Sequence, residues 1–217
     1  MDTLTRHRLR LSSAVAFCVA LLLGTSVLDA QEMPTPVSLQ VSFALRVLEF
    51  DRARSDAERG EIVFAVVFQR QNRESRRAME ELEAAIETLE PGPGRVRMVA
   101  IDLEQTTDLQ EALKSESFDM VYVAPLRAVA MGLITVATRA EDLLTITGVP
   151  EYVQEGLAVG IDEQGGKPRL LINLEAARDE GADLSSQLLK LARQVTERRD
   201  RDLDSGASPD LPVRRQR

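Results

Sequence analysis

Tryptophan is absent from this 217-residue chain, cysteine and histidine occur once each, and aromatic residues make up only 4%. The lone histidine, His7, and the lone cysteine, Cys18, both lie in the first thirty residues. That stretch has the layout of a cleaved export signal. Arg6, Arg8 and Arg10 form a basic start, Leu11 to Leu23 an apolar run, and Leu28-Asp29-Ala30 a small-residue exit ahead of Gln31. At about thirteen residues the run falls short of the roughly 20 that a spanning helix needs. Cys18 sits inside it after Phe17, where a lipoprotein cysteine is not expected. A chain cut near Ala30 has no histidine or cysteine, which excludes a Ser-His-Asp triad, a Cys-His pair and a zinc site of the usual kind. It also excludes disulfides. About 187 residues bury enough apolar surface to fold without them.

Positive charge is also scarce. Lys and Arg number 27 against 35 Asp and Glu, a net charge of −8 that becomes −9 once the first thirty residues are gone. Binding to a phosphate backbone is driven by Lys and Arg, so nucleic acid is not an expected partner. No G-x-S-x-G elbow and no G-x-x-x-x-G-K-[ST] loop is present. No cofactor is indicated.

What is present is an alternation of strands and helices. After a short linker over 31–36, Val37 to Phe50 carries apolar residues at helical spacing. Ile62 to Phe68, IVFAVVF, is an unbroken apolar run of the kind found in strands covered on both faces. Asn72 is placed to cap a helix with an inward stripe of Met79, Leu82, Ala85, Ile86 and Leu89, ended by Pro91-Gly92. Its arginines precede its glutamates, against the macrodipole, and four-residue Arg–Glu spacings point to pairing on a solvated face.

Val96 to Ile101 and Asp119 to Val123 read as further strands, with a short helix over Thr107 to Ser115 between them. A helix from about Leu126 to Thr138 is predicted to turn Leu126, Val129, Ala130, Leu133 and Ile134 inward. Leu143 to Ile146 is a fourth strand, followed by a helical turn over Pro150 to Gln154. Leu157 to Ile161 and Arg169 to Ile172, joined through Gly165-Gly166, suggest an antiparallel hairpin at one sheet edge. Asn173 caps the next helical stretch, and Leu184, Leu188, Leu191 and Val195 form the stripe of a last helix. The expected fold is α/β: one compact Rossmann-like domain over 37–195, a mostly parallel sheet flanked by helices, closed by the hairpin and final helix. A charged tail over 196–217 has the composition of disorder.

Ligands of open α/β sheets bind outside the carboxyl ends of strands. Asp102, Pro125, Gly148 and Tyr152 all follow strand ends, and Asp102 with Glu104 is the best-placed carboxylate pair. Each also has a structural reading. Asp102 leads into a helix, Gly148-Val149-Pro150 starts one, and Phe50 closes one.

The order of Gly148-Val149-Pro150, a Gly-Gly hairpin, INLEAAR over 172–178 and LSSQLLKLAR over 184–193 resembles the YfiR-like family of periplasmic regulators (YfiR/HmsC type). The similarity covers roughly Val37 to Val195. In that family the first helix ends at an aromatic-proline step. Phe50 matches the aromatic, and no proline follows it. The resemblance implies a non-catalytic periplasmic protein that binds a membrane signalling partner: the periplasmic sensor region of a diguanylate cyclase, or a sensor kinase. Release of the cyclase would raise cyclic-di-GMP and favour biofilm formation. The disulfides of the best-known type have no counterpart here. A homodimer is compatible with this reading. An interaction protein of this kind is expected to expose an apolar patch around Phe50, Tyr152 or the Leu126–Leu133 helix. The alternative is a small-molecule-binding lobe with a concave site near Asp102, Pro125 and Gly148.

Overall fold

In the computed structural model, residues 33–54, 60–89 and 95–196 are described. The expected export signal, residues 55–59, the expected Pro91-Gly92 stop and the charged tail beyond Thr196 lie outside them. The order is α1 (Val37–Glu49), β1 (Glu61–Phe68), α2 (Arg73–Glu87), β2 (Arg95–Asp102), α3 (Leu109–Lys114), β3 (Met120–Val123), α4 (Met131–Ala140) and β4 (Thr145–Thr147). It continues with α5 (Glu151–Gln154), β5 (Val159–Gln164), β6 (Lys167–Asn173), α6 (Leu174–Asp179), α7 (Ser186–Leu191) and β7 (Arg193–Val195). Seven strands form one sheet in the order β2-β1-β3-β4-β5-β6-β7, parallel except for the β5–β6 hairpin. The mostly parallel α/β sheet expected from the sequence is the one observed.

The apolar run of β1 explains the layering. Phe64, Val66 and Phe68 pack with Val41, Val47 and Leu82 from α1 and α2, while Val63, Ala65 and Val67 pack with Leu113, Ile134 and Leu157 on the opposite side. Alternate side chains thus feed two cores, and neither face of the central strands meets water. Asn72 caps α2 by accepting from the Glu74 N–H at 3.2 Å. Arg77–Glu81 at 2.7 Å and Arg76–Glu80 at 3.7 Å pair the charges along that helix's exposed face. Gly165 and Gly166, with φ of 60° and 75°, close the hairpin in two residues, a backbone that L side chains rarely adopt.

Two elements differ from expectation. The helix predicted from Leu126 begins at Met131, because Ala128 is left-handed (φ 54°) and the 125–127 backbone is bonded to side chains elsewhere. The shift turns Leu133 outward and buries Met131, Ile134, Thr135, Ala137 and Thr138. The last helix stops at Leu191, and the chain becomes extended at Ala192 (ψ 156°). Arg193–Val195 then pairs parallel with Leu171–Asn173, so the hairpin does not end the sheet. Leu191 of the expected stripe is 71% exposed. An open β6 edge offers backbone partners that a further helical turn would lack an apolar face to match.

Buried polar groups lock the amino ends of the strands. Asp51, fully buried, accepts from the N–H groups of Asp183 (2.8 Å) and Ala53 (3.1 Å) and pairs with Arg54 at 3.2 Å. Arg54 donates in turn to the carbonyls of Asp119 (2.7 Å) and Asp142, ahead of β3 and β4. Removing one partner of such a buried pair strands the other. Asp51→Ala is expected to lower the unfolding free energy by about 3–5 kcal/mol in urea titrations.

Glu180, also fully buried, accepts from the Thr145 N–H (2.8 Å), the Thr145 hydroxyl (2.9 Å) and the Thr138 hydroxyl (3.3 Å). Burial pushes its carboxyl up to about 8, against the pull of those donors and of Arg139. The folded state therefore holds a proton that the unfolded chain, titrating near 4.5, has released. Its contribution is full below about 4.5, declines as pH rises and is gone above about 8. Glu180→Gln, which stays neutral, is expected to flatten that part of the stability–pH curve in thermal melts.

Candidate functional site

Strand order reverses between β1 and β3, since β2 lies on one side of β1 and β3 to β5 continue on the other. The loops after β1 and β3 therefore part at their carboxyl ends, where open α/β sheets form a crevice. A cleft of about 510 Å³ lies there, lined by Gln69, Gln71, Asn72, Arg73, Glu74, Glu104 and Arg127. Its walls are laced together by side-chain bonds to backbone. Gln69 accepts from the Arg127 N–H (2.7 Å) and donates to the Arg127 carbonyl (3.1 Å). Asn72 donates to the Pro125 carbonyl at 3.2 Å.

Asp102 holds the opposite wall. Its carboxylate accepts from the Arg70 N–H (3.3 Å), Arg70 Nε (3.0 Å) and the Glu104 N–H (3.1 Å). Burial acts to raise its pKa, but the Arg70 side chain and the two backbone donors outweigh it and hold the carboxyl below its usual range. Glu104 accepts from the Gln71 N–H at 2.9 Å. Both carboxylates of the expected pair thus brace the loop after β1. Among the described residues no group of three His, Cys, Asp or Glu is placed to hold a metal ion.

Farther along the sheet, the end of β4 is filled from within. Gln40 on α1 reaches across to accept from the Tyr122 hydroxyl (2.8 Å) and donates to the Thr35 carbonyl (2.7 Å). A Cβ on Gly148 would stand 2.4 Å from Gln40 Oε1, so only glycine leaves room for that amide. Tyr122 is driven up in pKa by burial and stays a neutral hydroxyl donor. Tyr152 is 1% exposed, and its hydroxyl accepts from the Leu126 N–H (2.8 Å) and donates to the Leu126 carbonyl (3.2 Å). It supplies the backbone partner that the loop after β3 lacks. Met33 and Thr35, in the stretch read as a linker, pack onto this end of the sheet.

Asp102 and Pro125 thus bond to residues that line the cleft, Glu104 and Asn72, without lining it themselves, and Gly148 and Tyr152 are packed within the same end of the sheet. Phe50 lies at the other end of the sheet. Its carbonyl accepts from the Ser185 N–H, its ring is partly buried, and Arg46 stands 6.0 Å from the ring centroid. The five positions form no single site. Missed by sequence reasoning were Gln40 and Gln69, ordinary polar residues whose roles depend on contacts distant in the chain.

The exposed side of α4 is a different surface. Leu133 and Val136 are each 68% exposed, Gly132 and Ala140 lie beside them, and a Cβ on Gly132 would meet nothing within 4 Å. Spacings of three and four residues set these positions in one uncharged stripe.

Tyr152→Phe removes both bonds to Leu126 while keeping the ring. A loss of about 1–3 kcal/mol of stability is expected, with faster amide exchange at Leu126, read by hydrogen-exchange NMR.

No curated protein matches the chain. Solved structures do, over the fold. An ABC domain in complex with L-Trp from Streptococcus pneumonia superposes with a TM-score of 0.53 at 14% identity, covering 74% of this chain and 62% of that one. A conserved domain protein from Vibrio cholerae gives 0.52 at 17%, over 74% and 60%. The ligand-free, open form of a substrate-binding protein with adhesive properties from Clostridium difficile gives 0.52 at 12%, over 76% and 61%. The chain spans about three fifths of the length of each, and at these identities the likeness is one of fold. The sequence is more specific. Residues 38–193 match the profile of the YfiR/HmsC-like family, most of the chain and the whole sheet except its last two residues, and the protein belongs to that family.

Proposed function

We propose that this chain is a non-catalytic regulator, exported to the periplasm, that binds and modulates a membrane signalling protein. The observation that carries the proposal is the bare apolar stripe on α4. Leu133 and Val136 are among only four large hydrophobic side chains exposed on the described residues, and they are neighbours on one helix. An apolar patch of this kind on an acidic, otherwise charged surface suits a docking face. Family membership supports the class of partner, the periplasmic sensor region of a diguanylate cyclase or a sensor kinase. No described helix is long and apolar enough to cross a membrane. In this reading the partner supplies the link to it. Cutting near Ala30 would leave Met33–Pro36 close to the new amino terminus.

A second reading has its own observation. The cleft at the reversal of strand order has amide and guanidinium groups on facing walls, and two of the superposable structures are named for ligand or substrate binding. A small polar ligand held there would reach the α4 face through the loop between β3 and α4, which joins Arg127 to Met131.

The test is capture of membrane proteins from detergent extracts by tagged protein recovered from the periplasm. Enrichment of one inner-membrane cyclase or kinase, lost in a Leu133→Asp/Val136→Asp double variant of unchanged thermal stability, is the expected outcome. Capture that ignores the double variant would remove α4 from the interface. A blank after crosslinking would move the function to the cleft.

A further inference from the structure

Among the described residues, the β2 strand forms one end of the sheet and is paired only with β1. Eight consecutive residues, Arg95 to Asp102, match Glu61 to Phe68 one for one, without a bulge and without proline. Natural edges are usually short, bulged or blocked, because an open edge is a template for another strand. This edge is eight residues long and regular.

The hydrogen bonds fix which residues face outward. The N–H groups of Arg95 and Leu103 donate to the carbonyls of Gly60 and Phe68, on the β1 side. In a parallel pair the N–H and C=O of one residue point the same way and successive residues alternate. Val96, Met98 and Ala100 therefore turn both backbone groups to the open side. Their side chains share one face of the strand, with Val96 and Met98 only partly buried and Ala100 exposed.

We propose that β2 pairs antiparallel with β2 of a second copy about a two-fold axis at Met98, extending two seven-stranded sheets into one. The strand is its own complement in that register. Met98 lies opposite its equivalent, and Val96 lies opposite Ala100 of the other copy, a larger side chain against a smaller one. All three outward residues then exchange N–H···O bonds with the residue they face. Arg97 lies opposite Val99 and Arg95 opposite Ile101, so no like charges face each other across the seam. A shift of two residues along the partner that sets Arg97 against Arg97 would put equal charges together, which selects against it. An isologous contact of this kind closes on itself at the dimer.

Sedimentation velocity of the protein purified from the periplasm is expected to show a dimer. Met98→Lys sets two cations face to face on the axis and is expected to yield a monomer with an unchanged circular dichroism spectrum, its stem covering the same apolar surface. Met98→Pro removes only an outward N–H and keeps the bonds to β1, so it is expected to do the same. Met98→Cys, in a Cys18→Ser background, should crosslink on mild oxidation, since the facing Cα atoms would lie about 5.5 Å apart, within disulfide reach. Ala100→Cys should not, its two copies being about 14 Å apart from the roughly 3.4 Å rise per residue. A monomeric wild type, a dimer that survives both Met98→Lys and Met98→Pro, or faster crosslinking through position 100 would each overturn the proposal.

Discussion

The covering of β1 on both faces is the constraint from which the rest follows. A strand of seven apolar residues after Glu61 leaves no side for water, so helices must lie above and below it. α1 and α2 take one face, and α3 to α5 the other. Because β2 and β3 flank β1 on opposite sides, their connecting loops must diverge at its carboxyl end. The cleft is a consequence of that divergence, as is the need for polar side chains to bond the loop backbones that strands no longer pair.

Different polar side chains meet that need at the two ends of the sheet. At the carboxyl end, Gln69, Asn72, Asp102 and Tyr152 each bond to main-chain groups of a neighbouring loop. At the amino end, Asp51 and Glu180 do the same work from buried positions and Arg54 from a partly exposed one. Among the described residues, the α4 stripe leaves apolar side chains exposed and the β2 edge turns backbone groups outward. The contacts with other chains proposed above rest on these two surfaces.

The fold was largely legible in the sequence because its signals are local. An unbroken β-branched run, an Asn before a helix and a Gly-Gly turn each act over a few residues, and β1, α2 and the β5–β6 hairpin appear where those signals stand. The errors came where distant contacts decide. The apolar spacing from Leu126 fits a helix, but Tyr152 and Gln69, each 26 or more residues away, hold the Leu126 and Arg127 backbone out of one. Val195 continues a helical stripe by spacing, yet the free edge of β6 draws it into a strand. The candidate site was less legible. Asp102 and Pro125 carry a positional mark, their place after strands, whereas Gln40 carries none, and the inward place that spacing from Leu126 gives Leu133 is undone by the later start of α4.

The Asp51 cluster has a bearing on the order in which the chain takes shape. Its partners stand 132 residues away at Asp183, and through Arg54 65 and 88 residues away at Asp119 and Asp142. A chain that emerges from its amino end presents Asp51 early and completes its surroundings only when Asp183 follows. Until then a carboxylate and a guanidinium destined for the interior remain in water, and the amino ends of β3 and β4 lack their clasp. Closure of loops this long belongs to slow, non-local assembly. The Asp51 carboxylate therefore gains its full set of partners only from the carboxyl-terminal third.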